Sequence, residues 1–242
     1  MIGRIDVHSH LLPGVDDGCR DVAESVACAR LMVDAGYTHS YCTPHVWRHL
    51  NNGRRTIPAR VAALQAELDR ANVPLKLLPG GEMHLNERFC EIDDRDLVTY
   101  NDARRFAIFD FWTHAMPAYF LPCVRKIAGL SITPILAHPE RIEAIQGDPE
   151  AVDNIAAAGV LLQCNLECLG DENPTRRRAL AEQWLLENRY FMLGSDLHRI
   201  ETLPRRLRGL ERAVDLIGEE RVWELTHINP LQLAPLIDRP AQ

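Results

Sequence analysis

Short apolar runs alternate with longer segments whose apolar positions recur every three or four residues, and this alternation continues along the 242-residue chain. The first run contains Ile5 and Val7, β-branched residues suited to a buried strand, and Pro13, Gly14 and Gly18 stop it. Further strands are expected over residues 38–43, 74–78, 105–111, 133–137, 160–166 and 190–193, which makes seven with the first. Between them the spacing predicts helices. One is capped by Asp21, carries Val22, Val26, Ala29 and Val33 on a stripe, and stops at Gly36. A second is capped by Thr56, has Pro58 in its first turn, and buries Val61, Leu64 and Leu68. Others are expected over 116–129, 151–158 and 176–188, with 203–217 and 219–237 covering the outside. Residues 86–102 carry many carboxylates and show no period. Strands alternating with helices argue an α/β protein with a parallel sheet, closed or open. No Ser- or Gly-rich linker and no repeat divides the chain, so one domain is expected.

Composition narrows the classes. A hydrophobic fraction of 46% and a charged fraction of 25% are those of an ordinary globular protein. The formal net charge of -7 argues against a dedicated nucleic-acid partner. No apolar run approaches the length of a membrane span, and no basic-then-apolar leader opens the chain, so a cytoplasmic protein without membrane insertion is expected. Seven cysteines at irregular intervals suit reduced thiols better than a disulfide framework.

The chemistry lies where the strands end. His8 and His10 are two apart, so on a strand they share a face on which two imidazoles can grip one cation. Asp16 and Asp17 follow on the next loop and offer oxygen donors to the same place. His45 comes directly after Pro44, Glu82 after Pro79-Gly80-Gly81, and Asp110, His138, Asp196 and His198 at or just past later strands. Any one of these alone would be an ordinary surface or core polar group. Repeated at successive strand ends they point to one mouth, the C-terminal face on which parallel α/β barrels build their sites. Imidazole and carboxylate without thiolate suit Mn, Fe or Zn in a hydrolytic cluster. The donors are too many for one ion and fit two or three ions sharing carboxylates.

These residues carry a resemblance. His8-Ser-His10, Thr43-Pro-His45, His138-Pro-Glu-Arg141 and Ser195-Asp196-Leu-His198 resemble the motifs of the PHP superfamily (polymerase and histidinol phosphatase). Essentially the whole chain is similar to that superfamily's bacterial manganese-dependent tyrosine phosphatases of capsule and exopolysaccharide operons, the CpsB/CapC type. The specific signs are Ile5-Asp-Val-His-Ser-His-Leu-Leu-Pro-Gly-Val-Asp-Asp-Gly18, Leu78-Pro-Gly-Gly-Glu82 and Ala137-His-Pro-Glu-Arg141. The resemblance implies a distorted seven-stranded (β/α) barrel, PHP/TIM-like, as a single domain over residues 1–242. It implies up to three Mn ions, with Fe or Zn as alternatives, on His8, His10, Asp17, His45, Glu82, Asp110, His138, Asp196 and His198. The family's spacing to the first His selects Asp17 over Asp16, and Asp110 stands where these phosphatases usually carry Glu.

The implied reaction is hydrolysis of protein phosphotyrosine by a metal-bridged hydroxide. The implied partner is a phosphotyrosine-containing protein, most naturally the tyrosine-rich tail of a polysaccharide-synthesis tyrosine kinase. Arg141, directly after the His138 motif, is expected to clamp phosphate oxygens bidentately, with Arg205 as a second choice and His114 as a helper at the mouth.

One motif competes with this mechanism. Cys42-Thr-Pro-His-Val-Trp-Arg48 has the Cys-x5-Arg spacing of thiol-based tyrosine phosphatases. Pro44 removes a backbone donor from that loop, the loop has no Gly, and His45 is wanted by the metals, so Cys42 is expected to be strand packing. His39, His49, His84 and His227 are expected to be surface or satisfied core groups. Three other functions compete with protein dephosphorylation: a small-molecule phosphatase such as histidinol phosphatase, a metal-dependent nuclease or proofreading module, and a non-enzymatic binding module.

Overall fold

Two interruptions of the strand pattern, at Pro44 and at Gly80-Gly81, govern how the sheet closes. The protein is seen in a computed structural model that describes residues 2–235. In chain order its strands and helices are β1 (Arg4–Ser9), α1 (Val22–Asp34), β2 (Tyr37–Cys42), β3 (His45–Val46), α2 (Ile57–Arg70), β4 (Lys76–Pro79) and β5 (Glu82–His84). There follow β6 (Phe106–Asp110), α3 (Phe120–Gly129), β7 (Thr133–Ala137), α4 (Glu143–Gly147), α5 (Ala151–Ala157) and β8 (Leu161–Asn165). The series ends with α6 (Leu166–Leu169), α7 (Arg176–Leu186), β9 (Met192–Gly194) and α8 (Leu203–Trp223). Every pairing is parallel, in one sheet ordered β1-β2-β4 and another ordered β3-β5-β6-β7-β8-β9.

Among the described residues nine strands occupy the seven expected positions, because β2 runs on into β3 across Thr43-Pro44 and β4 into β5 across Gly80-Gly81. Pro44 has no N–H to give a ladder. At the second break the neighbouring strand is too close for side chains: a Cβ on Gly80 would lie 2.9 Å from Thr43 Cγ2, and one on Gly81 2.8 Å from Val46 Cγ2. Hydrogen bonds still cross both breaks. Thr43 N–H donates to Ser9 O (2.8 Å), Gly80 N–H to Cys42 O (3.0 Å) and Glu82 N–H to Pro44 O (3.1 Å). At the other edge β9 and its loop close onto β1, with Asp196 N–H donating to His8 O (2.7 Å) and His10 N–H to Leu197 O (2.7 Å). The result is the expected α/β architecture, a curled parallel sheet forming a distorted barrel.

Alternation along the strands puts Ile108 and Asp110 on one face of β6, and Leu161, Gln163 and Asn165 on one face of β8. Ile108 joins Ile5, Val7, Tyr41, Ile135 and Met192 in one buried apolar cluster. The polar members of these faces lie at the C-terminal strand ends. A larger cluster, which includes Met32, Leu68, Phe120, Ile127 and Trp184, packs the helices against the sheet.

Local departures from the sequence reading have local causes. The helix expected over 116–129 starts only at Phe120, because Pro117 biases Met116 away from helical geometry. Thr56 precedes α2 but makes no side-chain cap; its hydroxyl bonds Asn51 O and Gly53 N. The break at Gly218 is present, with φ of 79° inside α8. Beyond it the expected helix 219–237 gives way to a π-turn over Glu224–Ile228 and a 3-10 turn over Pro230–Gln232; residues 236 and 237 of that expectation lie outside the described residues. The aperiodic stretch 86–102 is three single 3-10 turns that bury Leu97, Val98 and Tyr100. No helix among the described residues is long and apolar enough to cross a membrane.

α6 and α8 touch backbone to backbone. A Cβ on Gly209 would lie 1.9 Å from Leu166 O, and one on Gly170 1.9 Å from Arg205 O. Gly→Ala in an open helix stabilises by ~1 kcal/mol. Here Gly209→Ala is expected to destabilise by ~1–3 kcal/mol through overpacking, lowering Tm by roughly 2–4 °C for each kcal/mol. Thermal unfolding of the variant checks this, and a raised Tm would reject the close crossing.

Candidate metal centre

Glu82, the first residue of β5, is fully buried at the centre of the strand ends. Its Oε2 lies 2.9 Å from His45 Nδ1, 3.5 Å from His8 Nε2 and 3.6 Å from His10 Nε2. Its Oε1 lies 2.9 Å from His138 Nε2. Asp196 Oδ1 meets the same two imidazoles, 3.4 Å from His8 Nε2 and 3.4 Å from His10 Nε2. On the outer side, Asp17 Oδ1 lies 3.4 Å from both His45 Nε2 and His198 Nε2. Four overlapping groups able to hold a cation result: His10, Asp17, His45 and His198; His8, His10 and Glu82; His8, His138 and Asp196; and His45, Glu82 and Asp110. All nine of the expected ligand residues are therefore brought together.

Neighbouring groups fix which imidazole nitrogen faces inward. His8 Nδ1 pairs with Gln163 Oε1 (2.9 Å) and His10 Nδ1 with Asp16 Oδ2 (2.8 Å). Both partners are acceptors, so each Nδ1 carries the proton and each Nε2 turns a lone pair inward. His198 does the same with Asp196 O (2.8 Å). The two inward nitrogens of His8 and His10 are then only 3.3 Å apart. Asp16, the alternative to Asp17, serves as a brace: besides His10 it accepts from Gly18 N–H and His45 N–H, each at 2.9 Å.

Asp196 is held equally firmly. Its Oδ2 accepts from Asn165 Nδ2 (2.7 Å) and Arg141 Nη1 (2.5 Å), which leaves Oδ1 for the cluster. Arg206 donates to Ser195 O (2.8 Å) and Asp196 O (2.7 Å), and Asp6 accepts from the Ser195 amide (2.8 Å) and hydroxyl (2.6 Å). Asp196 and His138 both adopt left-handed backbone, φ of 50° and 36°, at which non-glycine residues are strained.

Electrostatics favour positive charge here. Burial alone would lower the pKa of His8, but the Glu82 and Asp196 carboxylates overcome it and raise it. Burial likewise opposes the proton on His10, and Asp16 raises it well above the ordinary value. For His45, Asp17 and Glu82 outweigh burial and push it up to about 10. Burial would raise Glu82 and Asp196, yet the surrounding histidines, led by His8, hold both well below the usual carboxylate range. Hydrogen bonds from His198 and His45 lower Asp17.

The residues present fit a metal. Donors ~2.1 Å from one ion sit roughly 3.0–3.5 Å apart, close to the spacings around His8, His10, Glu82 and Asp196. Glu82 Oε2, Asp196 Oδ1, His45 Nδ1 and His138 Nδ1 are buried with no hydrogen-bond partner, an unusual state for buried polar atoms. Divalent cations would satisfy the inward lone pairs and displace the protons that otherwise balance the carboxylates.

Not every candidate enters the cluster. Arg141 does border it, with its guanidinium over the Trp112 ring at 5.3 Å. Arg205 pairs instead with Glu167 and Asp171, each at 3.0 Å, and the arginine that grips the Asp196 loop is its neighbour Arg206. His114 is exposed and pairs with Glu143. His39 and His227 bond Thr38 Oγ1 and Gly3 O, as expected of satisfied groups. His84 differs, because its Nδ1 lies 2.9 Å from Asp110 Oδ1. Trp112 Nε1 bonds the other Asp110 oxygen, and Trp47 stacks on His45 at 4.4 Å. Gln163, Asn165, Asp6, Arg206 and the two tryptophans were not singled out from sequence. Cys42 is fully buried in β2, and burial pushes its thiol pKa up.

Comparison with known proteins agrees with this geometry. A family model described as capsular polysaccharide synthesis, CpsB/CapC, matches residues 4–234. Tyrosine-protein phosphatase YwqE of Bacillus subtilis is 28% identical over 203 residues, 82% of this chain and 78% of that protein. Tyrosine-protein phosphatase CpsB of Streptococcus pneumoniae is 24% identical over 245 residues, 95% of this chain and 97% of that protein. A crystal structure from work on these two enzymes, described as metal-dependent tyrosine phosphatases, superposes with a TM-score of 0.84 at 25% identity and covers 98% of each chain. The histidinol phosphate phosphatase of Lactococcus lactis shares only the fold, with a TM-score of 0.51 at 13% identity, covering 88% of this chain and 94% of that one. This chain belongs to the CpsB/CapC family of capsular polysaccharide synthesis.

Proposed function

We propose that the protein is a metal-dependent phosphatase that hydrolyses phosphotyrosine on a protein, most naturally a tyrosine kinase of polysaccharide synthesis, and that the Glu82-centred cluster is its active site. The observation that carries this reading is the convergence of nine imidazole and carboxylate donors on one mouth, with buried atoms of His45, Glu82, His138 and Asp196 lacking hydrogen-bond partners, in a chain whose relatives are named tyrosine phosphatases. Four overlapping groups, linked through the shared residues His8, His10, His45 and Glu82, suit up to three ions, and a mixture of imidazole and carboxylate without thiolate suits Mn. Such ions, when bound, neutralise the phosphate charge and activate water for in-line attack.

The protein's own contribution is placement. Gln163 and Asp16 orient His8 and His10, while Asn165, Arg206 and Asp6 hold the Asp196 loop. Arg141 gives one nitrogen to Asp196 and keeps part of its guanidinium exposed, so its remaining N–H groups can take phosphate oxygens in a planar fork. Arg205 has no part in this reading, since both its ion pairs lie with Glu167 and Asp171. A tyrosinate leaving group needs little protonation, which is consistent with His114 standing out in solvent.

Removing metal should abolish hydrolysis of phosphotyrosyl peptide, and Mn should restore it best. The same panel, run on histidinol phosphate and single-stranded DNA, should give little turnover. Loading should also release protons, because His8, His10 and His45 have raised pKa values in the metal-free protein and must lose protons to bind a cation. Affinity should therefore rise with pH and fall as the histidines protonate. Calorimetric titration of Mn in buffers of different ionisation enthalpy measures the release, and zero protons would contradict the assignment.

Cys42→Ser should keep most activity and full metal content. Trapping a phosphocysteine at position 42 would instead establish a thiol mechanism.

Arg141→Ala should lower kcat/KM while leaving metal content unchanged, because Asn165 still holds the same Asp196 oxygen. Losing a charge-assisted contact costs about 1.5–3 kcal/mol, roughly ten- to a hundredfold in rate, and Arg141→Lys should recover only part. His138→Ala should reduce metal content and activity together. Elemental analysis beside steady-state kinetics separates these roles, and wild-type kinetics in Arg141→Ala would remove the residue from phosphate binding.

A further inference from the structure

A cleft of about 590 Å³ opens beside the cluster, a volume within the ~300–1,000 Å³ usual for ligand sites. Its lining continues the chain from two cluster residues: Val46 and Trp47 follow His45, and Met83 and His84 follow Glu82. Phe89 and Ile92 extend the apolar surface away from the strand ends. A group bound at the cluster therefore has this cleft directly alongside it.

The charge of the lining runs against that of the chain. Arg48, Arg54, Arg55 and Arg88 face Glu91, Asp93 and Asp96 there, while the whole protein carries -7. The carboxylates are largely answered already. Glu91 is paired with Arg88 at 3.0 Å and Asp93 with Arg95, outside the lining, at 2.6 Å; Asp96 lies in the fields of Arg54 and Arg95. Arg54 is engaged by Asp102 through two bonds of 2.6 and 2.9 Å. Arg48 and Arg55 are exposed and have no hydrogen-bond or ion-pair partner among the described residues. The indole N–H of Trp47, buried in the same lining, also lacks an acceptor.

The loop that carries these free donors is anchored. Buried Asn52 donates to Val15 O (3.1 Å) and His45 O (2.9 Å), and the Thr56 hydroxyl donates to Asn51 O (3.0 Å). Two free guanidiniums on a fixed loop, above an apolar floor that starts at the cluster, suit an extended polypeptide with negative charge. We infer, building on the phosphotyrosine reading, that this cleft holds the substrate segment flanking the phosphotyrosine, and that Arg48 and Arg55 select segments with an anionic residue, a carboxylate or a second phosphate, at that flank.

The test is steady-state kinetics of Mn-loaded wild type and the Arg48→Ala/Arg55→Ala double variant. Substrates are free phosphotyrosine, a phosphotyrosyl peptide with Asp and Glu flanks, one with a neighbouring phosphoserine, and one with Gly and Ser flanks. Wild type should show the lower KM for both anionic peptides, and the double variant should raise those KM values about tenfold. Its kcat, metal content and kcat/KM on free phosphotyrosine should not change. Arg48→Glu/Arg55→Glu should turn the preference toward the neutral peptide. Equal KM values for all three peptides in wild type, or an anionic preference that survives in both double variants, would overturn the inference while leaving the phosphatase reading intact. A wild type that hydrolyses no phosphotyrosine in any form would instead overturn the enzyme reading and this inference with it.

Discussion

Several lone pairs cannot share a dry pocket unless positive charge lies among them. At Glu82 the constraint is sharpest, since one carboxylate oxygen faces nitrogens of His45, His8 and His10 at 2.9, 3.5 and 3.6 Å. Unit charges 4 Å apart interact by about 4 kcal/mol at an effective dielectric near 20. A cation at this point therefore outweighs the ~1 kcal/mol of an ordinary hydrogen bond. The carboxylates express the same demand by raising the pKa of all three histidines against the effect of burial. The remaining structure holds the donors in place against their mutual repulsion.

That holding explains features that would otherwise look wasteful. The breaks at Pro44 and Gly80-Gly81 end one ladder and start another directly before His45 and Glu82. An unbroken β2 or β4 would carry those side chains on along the old strand direction; the break turns both residues into the second sheet, where they pair as neighbours. Left-handed backbone at His138 and Asp196 costs of order 1–3 kcal/mol each. The hydrogen bonds from Arg206 to the Ser195 and Asp196 carbonyls keep the second of these from relaxing. Arg206 in turn depends on the α6–α8 crossing, whose glycines let helix backbones meet.

The parts legible in the sequence were those with a periodic or chemical signature. Alternating strands and helices pointed to an α/β protein with a parallel sheet, the family resemblance implied its closure into a barrel, and the gap between the expected helices 203–217 and 219–237 falls on a real break at Gly218. The nine candidate donors were legible because each lies at or just past a strand end, so one-dimensional spacing maps directly onto one mouth. The braces were not legible, for a physical reason: Gln163 reaches His8 across 155 positions, and Asp6 reaches Ser195 across 189. An amide on β8 or an acid on β1 looks like any other polar residue until the sheet closes. Arg205 and Arg206 show the same limit, since adjacent residues on a helix face different directions and only the second meets the Asp196 loop.

Asp110 is the part of the cluster where these constraints are loosest. Its side chain is one methylene shorter than the Glu expected from the family resemblance, and both its oxygens already accept hydrogen bonds, from His84 and from Trp112. Trp112 also carries Arg141 on its ring and stacks near His138 at 5.5 Å. The short carboxylate is thus held by two ring nitrogens, and one of those rings, Trp112, also packs against Arg141. A cation next to Asp110 must compete with those donors for the same oxygens, whereas one between Glu82 and Asp196 meets oxygens with no other partner. Binding strength across the cluster should therefore be uneven, with tightest retention at the buried His8, His10, Glu82 and Asp196 end and the most exchangeable position at His45 and Asp110.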